Sequence, residues 1–281
     1  MSAQLIANAY GKSRVRLTHV TRHPDRHELK ELAVAVQLEG DFAASYLTGD
    51  NRQLVATDSM KNTVYVLAKT LGVADIESFG LALARHFLHE YAHVTQATIR
   101  LDEQLWQRIA VAGNDHPHAF VGGGSETRHC TVTATRSGVS VQSGLDGLLV
   151  LKTADSGFAD FFRDRFATLP DTDDRIFATI VAADWTYREA TAPWDECHRT
   201  IRQALLNVFA THKSLGVQQT LFAMGEAALE ACSAIDEIRL VMPNKHRIPV
   251  NLRPFGLDNP NEVFMPTDEP HGLISGTIRR G

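Results

Sequence analysis

The chain has 281 residues, is 44% hydrophobic and 22% charged, and carries a net charge of −5 from 28 basic and 33 acidic side chains. That is the composition of a folded globular protein with apolar material for two modest cores, and without a basic block or acidic tail it makes nucleic acid an unexpected partner while leaving room for a small anion. The longest apolar runs, LAVAV and LLVL, fall far short of the ~20 residues that span a bilayer, and MSAQLIANAYGK has no signal-like apolar stretch, so no membrane segment is expected. The three cysteines, Cys130, Cys197 and Cys232, lack CxxC spacing and read as free thiols in a reducing compartment, which makes cytoplasm the expected location.

Two alternating segments come first. In ELAVAVQLE, residues 31 to 39, Leu32, Val34, Val36 and Leu38 share one face and Ala33, Ala35, Gln37 and Glu39 the other. SRVRLTHVT upstream alternates too, and the RHPDRH connection makes the pair a predicted hairpin. From Met60 the period becomes helical, with Met60, Val64, Leu67 and Leu71 on one stripe and Gly72 where a terminating glycine belongs. A second helix is predicted from about Asp75 to His93, with Ile76, Phe79, Leu83 and Phe87 facing the core. VTQATIRL returns to strand pattern, VGGGSET reads as a flexible loop, and TVTATRSGVSVQSGLDGLLVLK reads as two strands about a tight Ser-Gly turn.

The second half repeats this order. DRIFATIVAADWTYRE is strand-like; one helix carries Ile201, Leu205 and Val208, and the next carries Leu221, Met224, Ala228 and Cys232. In the closing segment Ile238, Leu240 and Met242 alternate, as do Ile248, Val250 and Leu252, which predicts a hairpin bent at PNKH. Strand-strand-helix-helix-strand-strand twice over predicts an α+β fold of two tandem domains, 1–137 and 138–281.

Several motifs compete for the chemistry. HEYAH, His89 to His93, matches the H-E-x-x-H zinc hydrolase pattern, in which two histidines one turn apart bind metal and Glu90 polarises water. A catalytic zinc needs a third protein ligand, the extended form of the motif is absent, and both histidines lie off the apolar stripe, so a solvated or interfacial helix flank is the preferred reading. His116 and His118 in DHPHAF would share a face of an extended segment, and such a pair is more often structural than metallic. Thr57 and Asp58 stand at the start of the first helix, where their oxygens suit a capping role; a helix start also offers free amides to an anion. Gln218 opens a later helix, and Asn244 and His246 sit at the PNKH bend. Each of these alone has a bland explanation as a cap or a turn.

Taken in order, AYGKSRVRL, VATDSMKNTVY, VQQT, MPNKH and DNPNEVF resemble the urate oxidase (uricase) family from about Ala9 to the C-terminus. The resemblance implies two tandem tunnelling-fold domains, each an antiparallel sheet with two helices on one face. It implies cofactor-free oxidation of urate by O2 and water to 5-hydroxyisourate and hydrogen peroxide. By motif, Arg175 and Gln218 would clamp the purine, Phe158 would stack on it, and Val217 would add a main-chain contact. Lys12, Thr57 and His246 would form a proton relay, with Thr57 and Asn244 flanking a water or O2 above the ring and Asp58 at the pocket edge. The family's active sites lie between subunits of a homotetramer. Two other readings stand against this one: the zinc hydrolase, and a tunnelling-fold protein that binds a purine or pterin without oxidising it.

Overall fold

A computed structural model describes residues 3–281, which divide into two compact units, one of residues 3–144 and 186–194 and the other of residues 145–185 and 195–281. In the first unit β1 (Tyr10–Arg22) and β2 (His27–Gly40) form the predicted hairpin, and β3 (Val94–Val111) and β4 (Asn114–Thr135) extend it in the order β1-β2-β3-β4, all antiparallel. The alternation in β2 is real: Leu32, Val34, Val36 and Leu38 are at most 2% exposed. Burying each such side chain is worth about 1.5–3 kcal/mol.

Three helices accompany these strands: α1 (Ala43–Thr48), α2 (Thr57–Leu71) and α3 (Ile76–Glu90). α2 packs on β1 and α3 on β3 and β4. The buried stripe of α2 is Met60, Val64 and Ala68, whereas Leu71, expected inside, is 63% exposed because the helix ends there at Gly72. In α3 the predicted stripe of Ile76, Phe79, Leu83 and Phe87 is fully packed, and the Asp75 carboxylate caps the helix by accepting from the Ser78 amide at 2.6 Å. Gly80 lets α3 approach its sheet closely, since a Cβ there would lie 2.9 Å from Leu101 and Val132 side chains.

The VGGGSET segment is not a free loop. It lies inside β4, where the register jumps between Gln104↔Thr127 and Trp106↔Gly122, so the glycines accommodate extra residues within a paired strand. Gly124 has φ +92, a conformation that favours glycine, and a Cβ on Gly123 would lie 2.9 Å from the Leu105 carbonyl oxygen. The tight Ser-Gly turn into β5 (Val139–Lys152) is as expected, with the Thr135 amide donating to the Gly138 carbonyl at 2.8 Å.

In the second unit the strand order runs from β5 through β6 (Phe177–Tyr187) and β7 (Ile235–Pro243) to β10 (Leu273–Arg279). Helices α4 (Trp194–Thr211) and α5 (Val217–Ala231) intervene between β6 and β7 in sequence, and α5 packs on β7 and β10. The hairpin predicted at PNKH does not form. β7 pairs instead with the distant β10, and β8 (His246–Pro249) pairs with β9 (Phe264–Thr267) as a separate two-stranded ribbon. Two alternating segments of apolar residues do not specify their partners. Ile278 on β10 fits Gly225 of α5 at a hypothetical Cβ distance of 2.6 Å, and that packing ties the C-terminal strand to β7's flank.

Candidate active site

Lys12 owes its direction to a β-bulge. The β1–β2 register pairs Lys12 with Val36 but Val15 with Val34, so β1 carries one more residue than its partner there, and Arg14 takes φ +55. Beyond the bulge the inward positions of β1 are odd-numbered, starting at the buried Val15; before it they are even-numbered, Tyr10 and Lys12. Without the extra residue Lys12 would point away from the helices. Tyr10 on the same face accepts a hydrogen bond from the Val55 amide at 2.7 Å and donates to the Val55 carbonyl at 3.1 Å, which pins the entry to α2 beside Lys12.

At that entry the capping expectation for Thr57 and Asp58 fails. The N-cap position belongs to Ala56, no side chain caps the helix, and Thr57 is its first helical residue. Asp58 accepts from Lys61 at 2.5 Å and from Asn62 at 3.0 Å. The Lys61 hydrogen bond and charge, with smaller help from Asn62 and Lys12, hold the Asp58 carboxyl below its usual range. The amides of the first turn are therefore left for something other than these side chains.

The second unit holds six of the expected residues, Phe158, Arg175, Val217, Gln218, Asn244 and His246. Phe158 is fixed by a two-way backbone bridge with Thr172, at 2.7 and 3.0 Å. Its ring carries the Arg175 guanidinium 5.4 Å above the centroid and stacks on Phe161 at 5.0 Å, while Phe162 points away and is 91% exposed. The Arg175 amide donates to the Ser156 carbonyl at 2.7 Å, and burial pushes its guanidinium below its ordinary value. Its Nε is fully buried and has no hydrogen-bond partner. A buried guanidinium nitrogen without an acceptor costs free energy, so the site is set for an acceptor that arrives from outside the chain.

Val217 and Gln218 open α5, where Gly216 occupies the N-cap without a side-chain cap; Val217 is buried and Gln218 is exposed. A Cβ on Gly216 would lie 3.5 Å from the Gln218 Oε1 and 3.9 Å from the Phe158 ring, so the amide and the aromatic face border the same space. Asn244 bridges to Thr179 and its amide donates to the Gly272 carbonyl at 2.8 Å; the Lys245 amide donates to Ala178 at 2.8 Å. His246 follows, and burial, then the charges of Arg175 and His271, push its imidazole below its ordinary value. His271 was not singled out in the sequence. It sits in TDEPHG, whose Gly and Pro mark a turn and whose histidine has no local partner pattern.

The zinc motif does not have helical geometry. α3 ends at Glu90, so His93 lies in the turn beyond it, its ring against Phe42 at 5.7 Å, whereas His89 is exposed and bonds to Glu90 at 3.0 Å. His116 and His118 do share a face of β4, with ring centroids 4.5 Å apart. Among the described residues no three His, Cys, Asp or Glu side chains are arranged to hold a metal ion.

A family profile described as "Uricase" matches residues 8–133 and 141–275. The chain belongs to the uricase family. It is 45% identical to the uricase of Arthrobacter globiformis over 97% of this chain and 89% of that protein, and 38% identical to the uricase of Dictyostelium discoideum over 99% and 98%. The crystal structure of the Arthrobacter globiformis uricase superposes with a TM-score of 0.95 at 44% identity, covering 100% of this chain and 96% of that one. The fold is thus the family's, α+β with two tandem tunnelling-fold domains, and the zinc hydrolase and non-oxidising alternatives give way to the uricase assignment.

Proposed function

We propose that this protein oxidises urate with O2 and water to 5-hydroxyisourate and hydrogen peroxide, without metal or organic cofactor, in a domain arrangement of 1–137 and 138–281. The observation that carries the reading is the buried, unpartnered Nε of Arg175 held over the Phe158 ring beside Gln218. A guanidinium fork matches the oxygen and ring nitrogen on one edge of a purine anion, and a glutamine amide can donate and accept on the same edge. Phe158 positions the flat ring by stacking, and the Val217 main chain adds a contact beside Gln218.

Oxidation needs the bound urate anion to lose a further proton, because the resulting electron-rich ring can reduce O2 directly. Lys12 would draw the proton of the Thr57 hydroxyl, and His246, kept neutral by burial and by its cationic neighbours, would relay it. Asn244 and Thr57 would hold O2 or water over the ring, with Asp58 at the pocket edge acting through the helix start. The uncapped first turn of α2 supports this use of Thr57. Lys12 and Thr57 of one subunit would meet Arg175 and Gln218 of a neighbour in a cytoplasmic homotetramer with no nucleic-acid or membrane partner; among the described residues no helix is long and apolar enough to cross a membrane.

The deciding experiment follows urate absorbance and O2 uptake together in the presence of a strong chelator. Matched consumption with peroxide formation is expected. Folded tetramer that binds urate and releases no peroxide, or activity that the chelator abolishes, would overturn the reading.

A further inference from the structure

The hydrogen bonds between Tyr10 and Val55 join the two segments that carry Lys12 and Thr57. Tyr10 stands two residues before Lys12 on the same face of β1, and Val55 stands two residues before Thr57 along the chain. One phenol meets both backbone groups of Val55, accepting from its amide at 2.7 Å and donating to its carbonyl at 3.1 Å. Because no side chain caps α2, the chain entering the helix is held by these two bonds and by a turn in which the Leu54 amide donates to the Asn51 carbonyl at 3.0 Å. The phenol itself has little freedom. Phe42, 1% exposed, meets the Tyr10 ring edge-on at 4.8 Å, and the His93 ring meets Phe42 in turn at 5.7 Å, so the last histidine of HEYAH braces the pair from behind. Between Tyr10 and Lys12, a Cβ on Gly11 would lie 1.8 Å from the Val36 carbonyl oxygen, so this stretch of β1 is pressed against β2.

We propose that Tyr10 is a positioning residue for the proton relay, its hydroxyl setting where Thr57 stands relative to Lys12. This rests on the relay roles proposed for Lys12 and Thr57. A proton passes between two side chains only within hydrogen-bond reach, roughly 2.6–3.2 Å between heavy atoms, and a misplacement of about 1 Å costs on the order of a hundred-fold in rate. Tyr10 fixes that spacing from both sides: its backbone belongs to the strand that aims Lys12, and its side chain holds the peptide that leads into Thr57. A variant without the hydroxyl is slowed at proton transfer and keeps the proposed clamp of Arg175 and Gln218. A second phenol supplies the contrast. Tyr65, on α2 itself, donates to the Arg16 carbonyl at 3.2 Å, past the bulge, and so ties α2 to β1 away from the Lys12 and Thr57 end.

The experiment compares wild type with Tyr10→Phe, Tyr65→Phe, Thr57→Ala and the double variant Tyr10→Phe/Thr57→Ala. Tyr10→Phe keeps the ring against Phe42 and loses both bonds to Val55, so kcat should fall about tenfold or more while KM for urate stays within roughly twofold of wild type. The double variant should lose no more than Thr57→Ala alone, because Tyr10 acts through Thr57, whereas a general structural defect would multiply the two losses. Tyr65→Phe should keep its kcat. Unchanged kcat in Tyr10→Phe, multiplied losses in the double variant, or an equal loss in Tyr65→Phe overturns the proposal. Hydrogen exchange of the Val55 amide needs no substrate and separates this inference from the urate reading: exchange should be faster in Tyr10→Phe, and an unmoved rate also overturns the proposal. Wild type that leaves urate untouched counts against the proposed activity, while exchange at Val55 still decides whether Tyr10 holds the α2 entry.

Discussion

Replacing Arg175 with alanine tests the proposed substrate clamp separately from the fold. In the free protein Arg175 has its Nε buried without a partner, and burial lowers its guanidinium below the ordinary value, so the side chain is held at a cost. An anionic purine edge would supply acceptors for two charge-assisted hydrogen bonds, each worth about 1.5–3 kcal/mol. Losing both removes ~3–6 kcal/mol, which at 1.4 kcal/mol per tenfold is roughly a hundred-fold to ten-thousand-fold weaker urate binding. Arg175→Lys keeps a charge but not the fork and should recover only part of that loss. Binding is measured by calorimetry with urate under anaerobic conditions, and stability by thermal melting. The melting temperature of Arg175→Ala should stay about level, because removing the buried, unpaired Nε offsets the lost contact of the guanidinium with the Phe158 ring. A variant that binds urate within about threefold of wild type, or that loses binding only because it unfolds, would refute the assignment of Arg175 as clamp.

Lys12→Met should mainly lower kcat and leave urate binding near wild type, since the bulge aims Lys12 at the α2 entry, where the proposed relay partner Thr57 stands; equal loss of binding in Lys12→Met and Arg175→Ala would contradict the division of roles. Thr57→Ala should cost less than about 0.5 kcal/mol in denaturant unfolding because Thr57 caps nothing, whereas Asp75→Ala, which removes the α3 cap, should cost ~1 kcal/mol. Glu77→Ala should destabilise by about 3–5 kcal/mol: Glu77 is fully buried, bonded to Arg128 at 2.7 Å and to Ser143 at 2.6 Å, and its removal takes the carboxylate away from a buried ion pair. For His246 the folded state holds a proton less readily than the unfolded chain, so more protons bind on unfolding as pH falls below the ordinary histidine range, and stability drops through that window. His246→Gln should flatten the stability profile between about pH 7 and 5; a profile identical to wild type would show that His246 is not the depressed group.

The sequence by itself determined what local periodicity can reach. Alternation in β2, the Ile76/Phe79/Leu83/Phe87 stripe of α3 and the repeat of strands and helices follow from side chains two, three or four residues apart, and burial then enforces them. Ordered short motifs carried the family, and with it the proposal of Arg175, Gln218 and His246 as site residues. What tertiary structure alone decided are partnerships between distant segments. β7 chose β10 instead of β8 because an apolar strand edge accepts any strand that the remaining packing delivers, and the Gly225–Ile278 fit delivers β10. The bulge at Arg14 reverses which face Lys12 occupies, a one-residue effect invisible to an alternation count that starts on either side of it. Thr57 looked like a cap because residue type is a local signal, but the cap position fell on Ala56. The segment Thr267–Gly272 returns to Asn244–His246 only because the chain closes an arch held by the His246–Thr267 pairing and the Asn244–Gly272 hydrogen bond, and no spacing along the sequence encodes that approach.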